Sequence, residues 1–173
     1  MIRTVREMLN VEIDLIINYF LTASPEFLKG MGVDTDKLPD KDKWKETIRT
    51  DFILPIEKRK FYYLLWLVDD IPVGHSNIND IVYGGHAYMH LHIWQTNNRQ
   101  KGNGRFFVKH SLPFYFSKFN LKKLYCQPYA LNPAPNSILQ KAGFQFIKKY
   151  ETTPGWINFK QPVNLWVFDK KNL

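Results

Sequence analysis

The central third of the sequence constrains the fold more than any other part. Strand patterns are predicted at His86–Trp94 and Lys123–Tyr129, and between them Arg105–Phe119 is long enough for a helix. A strand, a helix and a second strand in this order form a crossover, which pairs the two strands in parallel. Hairpin patterns before and after this segment favour antiparallel pairing. The chain therefore needs a mixed sheet.

The other predicted elements surround this crossover. Helices are assigned from apolar residues on one face and strands from aromatic and β-branched runs between turn residues. Before the crossover these are a strand at Ile2–Arg6, a helix from an Asn10 cap to Phe20, a loop at Gly30–Pro39, a helix at Asp40–Leu54, and strands at Phe61–Val68 and Val73–Val82 around an Asp69-Asp70 turn. After it come a helix at Ala134–Ala142 and strands near Phe144–Glu151 and Val163–Asp169. Pro113 is expected to kink or split the crossover helix.

The length of 173 residues suits one domain covering 1–173. The single cysteine, Cys126, excludes an internal disulfide framework and a cysteine-rich zinc site, and it suits a reducing compartment. The N-terminal residues do not resemble a signal peptide, and no apolar run has the length of a membrane span. We therefore expect a cytoplasmic protein that does not enter a membrane.

The net charge of +8 is unevenly distributed. Residues 1–98 carry 11 Lys and Arg against 14 Asp and Glu, whereas residues 99–173 carry 13 against two. The basic half is suited to a polyanion or a phosphate-rich cofactor, and the faintly acidic half to a cationic amine. Charge alone does not choose between these partners.

A glycine loop follows the strand that ends at Trp94. It reads Arg99-Gln100-Lys101-Gly102-Asn103-Gly104, and Arg105 begins the helix. Glycine lets the backbone approach a phosphate, and the first N–H groups of a helix point towards an anion. A simple capping turn is the alternative. A dinucleotide fingerprint would need glycine where Phe107 stands, and the Gly-Lys-Ser/Thr of a triphosphate loop is absent.

Two motifs resemble the GNAT superfamily of N-acetyltransferases. The first is the glycine loop, which matches the family's Arg/Gln-x-x-Gly-x-Gly/Ala pyrophosphate loop. The second is the segment 132–144, which resembles the family's Asn-rich turn, fourth helix and closing Gly-Phe. The order of elements also fits over nearly the whole chain. The sequence departs from the family pattern at Leu139, where the family often has a tyrosine that protonates the leaving thiolate, and at Pro135, where one branch has serine.

The resemblance implies an α/β (α+β) fold and a site for acetyl-CoA. The expected fold is a mixed, mostly antiparallel sheet of six to seven strands, flanked by about four helices and splayed between strands 4 and 5. The backbone at His92, Ile93 and Trp94 would pair with the pantetheine arm. The other implied cofactor-binding residues are Arg99, Gln100, Lys101, Gly102, Asn103, Gly104, Arg105, Asn132 and Asn136. Asn136 is also placed among the catalytic residues, while Ser137, Tyr129, Tyr150 or a water could protonate the thiolate.

His90 and His92 share one face of the fourth strand with Tyr88. An imidazole is suited to remove a proton at neutral pH, so either histidine could be the general base. Equally, both could be hydrogen-bonded residues that pack under the N-terminal helices. A metal site from histidines of adjacent strands lacks supporting carboxylates and cysteines, and none is predicted.

The leading functional hypothesis is an acetyl-CoA-dependent N-acetyltransferase with an amine acceptor. Its partners would be acyl-CoA and that amine, and a homodimer is compatible with it. A non-catalytic module that binds or senses acyl-CoA is the alternative suggested by Leu139. A basic nucleic-acid-binding domain is a further alternative, but nucleic acid is not among the expected partners.

Overall fold

One seven-stranded sheet runs through the molecule. The computed structural model describes residues 1–94 and 102–173. The strands are β1 (Arg3–Glu7), β2 (Tyr62–Val68), β3 (Ile71–Asn79), β4 (His86–Ile93), β5 (Lys123–Cys126), β6 (Gln145–Thr152) and β7 (Gln161–Asp169). Their order is β1-β2-β3-β4-β5-β7-β6, with β4 and β5 parallel and the other described neighbours antiparallel. The predicted mixed sheet is confirmed.

Four main helices cover the sheet, as predicted, and a shorter one joins them. They are α1 (Ile13–Leu21), α3 (Lys41–Phe52), α4 (Asn103–Lys118) and α5 (Pro133–Ala142), and the short helix is α2 (Pro25–Gly30). The sequence did not predict α2, although Ser24 caps it and Pro25 opens it. The predicted loop at Gly30–Pro39 includes the last residue of α2, an isolated β-bridge from Val33 to Asn158 and a 3-10 turn at Thr35–Lys37.

Two apolar cores lie on opposite faces of the sheet. Successive side chains of β2 alternate between them, with Leu64 and Trp66 in one core and Leu65 and Leu67 in the other. The first core is completed by α4 and α5, and the second by α1, α2 and α3. The continuous apolar run of β2 is therefore the pattern of a strand covered on both sides.

The first helix starts two residues later than predicted. Asn10–Glu12 forms a 3-10 turn, α1 begins at Ile13, and Val11 is 85% exposed and does not join the apolar face. The Glu12 carboxylate accepts the backbone N–H of Leu9 at 2.8 Å and pairs with Arg6 at 2.6 Å. This carboxylate, and not the Asn10 side chain, organises the entry to the helix.

The crossover helix α4 continues through Pro113 without a break, so the predicted split is wrong. Buried hydrogen bonds hold the helix on the sheet. The Trp66 indole N–H donates to Ser111 Oγ at 3.0 Å, and Ser76 Oγ lies 2.6 Å from the Tyr115 hydroxyl. Pro113 itself is exposed, on the solvent side of the helix.

Two strand ends also differ from the prediction. β3 starts at Ile71, directly after the Asp69-Asp70 turn, and stops before Asp80, whose φ of 46° leaves the extended region. β5 ends at Cys126, because Pro128 cannot donate to the ladder. In the described ranges, no helix combines the length and the apolar character needed to cross a bilayer.

Candidate functional site

A cavity opens where β4 and β5 separate. The two strands pair at only three positions, which run from His86 with Lys123 to Tyr88 with Tyr125, while β4 continues to Ile93. Beyond the last pair lies a cavity of about 130 Å³. Side chains of β3, β4, α1, α3, the turn after β5 and the β6–β7 connection line it. The splay implied by the sequence is therefore present, and it contains the cavity.

The backbone of β4 presents alternate residues to this gap. The Cys126 thiol donates to the carbonyl of Met89 at 2.9 Å, so Met89 faces β5. The N–H of Trp94 instead donates to Val73 of β3 at 2.9 Å. By alternation Leu91 and Ile93 face the gap, whereas His92 and Trp94 face β3. Sequence reasoning missed Leu91, because the direction of each peptide depends on register with β3.

His90 is a half-buried wall residue of the cavity. Its Nε2 lies 3.1 Å from the Asn79 side-chain oxygen. That carbonyl oxygen only accepts, so Nε2 carries the proton and Nδ1 keeps its lone pair. Burial lowers the pKa of His90 to about 4, partly opposed by the nearby Asp80. His90 is therefore a neutral imidazole and a weak base.

His92 belongs to a cluster of rings beneath α1. It stacks on His75 with ring centroids 4.7 Å apart, and the Tyr19 hydroxyl lies 3.5 Å from its Nδ1. Trp94 donates its indole N–H to His75 Nδ1 at 2.8 Å, and burial lowers the pKa of His75 well below the ordinary value. His92 thus both packs under the helix and lines the cavity, as His75 does.

These histidines do not form a metal site in the described part of the chain. No group of three or more His, Cys, Asp or Glu side chains there is arranged to hold an ion. The faces of His75 and His92 stack, and the indole N–H of Trp94 engages the Nδ1 of His75. This arrangement is one of packing and hydrogen bonding.

The β6–β7 connection roofs the cavity, a contact that the sequence did not suggest. Gly32 adopts a left-handed φ of 84°, and its carbonyl accepts both Asn158 Nδ2 at 2.8 Å and Gln161 Nε2 at 2.7 Å. Trp156 packs edge-on against Trp44 of α3, with ring centroids 5.5 Å apart. The connection is thereby tied to the N-terminal helices, and the cavity lies beneath it.

The described part of the glycine loop is the N-terminus of α4. Gly102 has a φ of 73°, and a Cβ built on it would meet no atom of the described residues within 4 Å. Asn103 is buried and Arg105 is exposed. Gly104 has a different role, since a Cβ there would lie 2.5 Å from Ile138 of α5. Gly102 therefore leaves open space above the helix start, and Gly104 lets two helices pack closely.

Three loop residues of the predicted site, Arg99, Gln100 and Lys101, lie outside the described residues. Their assignment to the cofactor site remains a sequence prediction.

Both asparagines of the second motif organise the turn into α5. Asn132 caps the helix by accepting the N–H of Ala134 at 3.3 Å, and it also lines the cavity. Asn136 donates to the carbonyls of Tyr129 and Asn132, at 3.2 and 2.8 Å. Its oxygen accepts the Asn164 amide and the Trp166 indole N–H, each at 2.9 Å. All the hydrogen-bonding capacity of Asn136 is thus used within the protein.

We expect Asn136→Ala to lower the free energy of unfolding by about 2 kcal/mol, because the Trp166 indole would lose its acceptor. Denaturant unfolding of Gln140→Ala, an exposed position on the same helix, is the control and should change little. If Asn136→Ala kept full stability but lost CoA affinity, Asn136 would contact the cofactor directly.

The candidates for the proton donor to the thiolate are spread across the site. Leu139 is fully buried in the core and occupies no wall of the cavity. Tyr129 lines the cavity, and the Tyr150 hydroxyl donates to Gln127, another wall residue, at 2.5 Å. Ser137 lies on α5 and is not a wall residue. Tyr129 is therefore the candidate that the fold brings into the cavity itself.

Comparison with known proteins gives a result at the level of structure. No family model matches the sequence, and no curated protein matches it. An aminoglycoside acetyltransferase, AAC(6')-Ib, solved in complex with coenzyme A, superimposes with a TM-score of 0.73 at 14% identity, over 98% of this chain and 96% of that one. The fold is that of the GNAT acetyltransferases.

Two further GNAT structures give the same picture. RimL, a ribosomal alpha-N-protein acetyltransferase in complex with coenzyme A, has a TM-score of 0.75 at 11% identity, over 96% of this chain and 93% of that one. Spermidine N-acetyltransferase from Vibrio cholerae, with CoA and spermine, has a TM-score of 0.75 at 16% identity, over 98% and 96%. Identities this low establish the GNAT fold and leave the activity to be argued from the site.

Proposed function

We propose that this chain is an N-acetyltransferase, which moves an acetyl group from acetyl-CoA to a primary amine of a small molecule or peptide. The observation that carries the proposal is the gap between β4 and β5, which opens directly onto a cavity. An acetyltransferase of this fold needs one path by which the thioester enters and another by which the acceptor amine enters. The gap between β4 and β5 connects these two paths. The three GNAT structures compared above were solved with CoA.

Several described residues fit such a cosubstrate. Gly102 leaves open space at the start of α4, where the N–H groups and dipole of a helix N-terminus favour an anion such as pyrophosphate. The exposed Arg105 adds positive charge there. The backbone groups of Leu91 face the gap and are suited to an extended amide chain. When bound, acetyl-CoA would supply a thioester whose carbonyl carbon accepts the amine, so that a C–N bond forms as the C–S bond breaks.

Residues of this chain would then position the amine and take part in proton transfer. The Nδ1 lone pair of His90 can accept a hydrogen bond from the attacking nitrogen, and the N–H of Leu91 can polarise the carbonyl oxygen. Tyr129 is placed to protonate the departing thiolate. The roof at Trp156 would exclude water and so disfavour hydrolysis.

Amine-dependent release of free CoA tests this function. We expect acetyl-CoA to bind in calorimetry, and a thiol reagent to detect CoA only when a suitable primary amine is present. The acetylated amine should be found by mass spectrometry. Binding without turnover against a broad amine panel would favour the non-catalytic module that Leu139 suggests. Absence of binding would refute both.

A further inference from the structure

We infer that the acceptor is a small amine that is uncharged at neutral pH, of the aryl or heteroaryl amine class. This inference rests on the proposed acetyltransfer and narrows its substrate. It follows from three properties of the cavity, namely its lack of charge, its size and the rings in its walls.

The described walls of the cavity carry no charged side chain. Their polar groups are amides and imidazoles, contributed by Asn77, Asn79, Gln127, Asn132, Asn158, Gln161, His75, His90 and His92, together with the Tyr63 and Tyr129 hydroxyls. Residues 95–101 contain no Asp or Glu either. An ammonium group buried here would lack a counter-charge, which is strongly unfavourable.

The acidic residues of the N-terminal half do not supply that counter-charge. Asp51 is buried, but its carboxylate accepts the backbone N–H groups of Lys60 and Phe61 at 2.7 and 3.1 Å. Asp80 is exposed beyond the end of β3. Neither residue is part of the cavity wall. The sequence expectation of a cationic acceptor depends on overall charge, whereas in the fold Asp51 is used by the backbone and Asp80 acts on His90 only from outside the cavity wall.

The size of the cavity limits the acceptor. Ligand pockets usually have ~300–1,000 Å³, whereas this one has about 130 Å³. A cavity of ~150 Å³ in another protein holds one benzene molecule. A single ring with its amino group therefore fills the cavity, and most of a three-ring aminoglycoside would lie outside it.

The walls also match a ring in chemical character. Phe20, Trp44 and Trp156 present aromatic surface, and the amides of Asn77 and Gln127 can bind ring substituents. An aryl amine shares its lone pair with the ring, so it reaches the site uncharged and needs only a weak acceptor such as His90. An aliphatic amine with a pKa near ~10.4 is uncharged in only about one molecule in a thousand at neutral pH.

Competing acceptors test the inference. At neutral pH and saturating acetyl-CoA, kcat/KM would be measured for aniline, 4-methylaniline, spermidine and kanamycin. We expect the two anilines to exceed spermidine and kanamycin by roughly tenfold or more. Faster turnover of spermidine or kanamycin would overturn the inference and leave the acetyltransferase function intact. Failure to bind acetyl-CoA, or to turn over any amine, would remove the proposed function and this inference together.

A variant pair tests the cause of the preference. Asn77 lies opposite His90 in the β3–β4 register and is half-buried in the cavity wall. Asn77→Asp adds a carboxylate of the same shape, so the spermidine-to-aniline ratio of kcat/KM should rise roughly tenfold. Asn77→Leu is the uncharged control and should leave that ratio unchanged. Equal ratios in both variants would contradict the role of charge.

Binding of the neutral product gives a readout that needs no variant. Acetanilide should bind the unmodified protein in calorimetry, and N-acetylspermidine should not. The reverse order of affinity would overturn the inference.

Discussion

Replacing Gly102 by asparagine should weaken CoA binding by roughly ten- to a hundredfold while the protein stays folded. The substitution puts a side chain into the open space above the start of α4, where the pyrophosphate would lie against backbone N–H groups. One lost charge-assisted hydrogen bond costs ~1.5–3 kcal/mol, which corresponds to roughly ten- to a hundredfold in affinity. Titration calorimetry with CoA measures the loss. Pantetheine lacks the pyrophosphate, so its affinity should not change.

Gly84 offers a matched control. It has the same φ of 73° and the same open surroundings, but it lies between β3 and β4 and not at α4. Asparagine tolerates this left-handed conformation better than most residues, so Gly84→Asn and Gly102→Asn should have similar, small effects on stability. Only Gly102→Asn should affect CoA. Unchanged CoA affinity in Gly102→Asn would show that the anion site is elsewhere.

The architecture could be predicted because it depends on local patterns. The strand, loop, helix and strand from His86 onward require a parallel pair, and β4 and β5 form it. The Asp69-Asp70 turn could also be predicted from the sequence. In the structure both residues have positive φ, as in a two-residue hairpin turn. The start of α1 could not be predicted from the sequence, because it depends on the Glu12 carboxylate, which binds both the Arg6 side chain and the Leu9 backbone N–H.

The candidate site was less predictable, since contacts distant in sequence build it. The motif residues Gly102 and Asn132 could be located from spacing, but the roof at Trp156 depends on a loop that reaches Gly32 across more than a hundred residues. Which peptide groups of β4 face the gap also depends on the register of β4 with the neighbouring strands. Leu91 is therefore visible only in the folded chain, although its position in the strand was predicted.

The protonation state of His90 also depends on residues distant in sequence, because they bury its side chain. On the sequence alone it was an imidazole with an ordinary pKa, suitable as a general base. In the fold, burial lowers the pKa of His90 and keeps the imidazole neutral, so its basicity falls. A site with so weak a base suits an acceptor that arrives uncharged, which is the class inferred from the cavity walls.

The enclosure of His90 also predicts a loss of stability in acid. The unfolded chain binds a proton at His90 near the ordinary pKa of 6.5, whereas the folded chain resists protonation until about pH 4. Because the folded pKa is the lower one, stability is complete above pH 6.5 and is lost as the pH falls towards 4. The whole gap corresponds to about 3 kcal/mol, of which about 2 kcal/mol is lost by pH 5. The depressed pKa of His75 adds a loss of the same sign.

Urea unfolding at about pH 7.5 and about pH 5 measures this loss before most carboxylates titrate. His90→Gln removes the titrating group, so it should recover about 2 kcal/mol of the difference between the two pH values. His110 is exposed on α4, away from the cavity, and His110→Gln should keep the full difference. If His90→Gln and the unmodified protein lost equal stability in acid, His90 would be accessible to protons in the folded state. It would then be free to act as a stronger base than its surroundings suggest, and it could remove the proton of a charged amine.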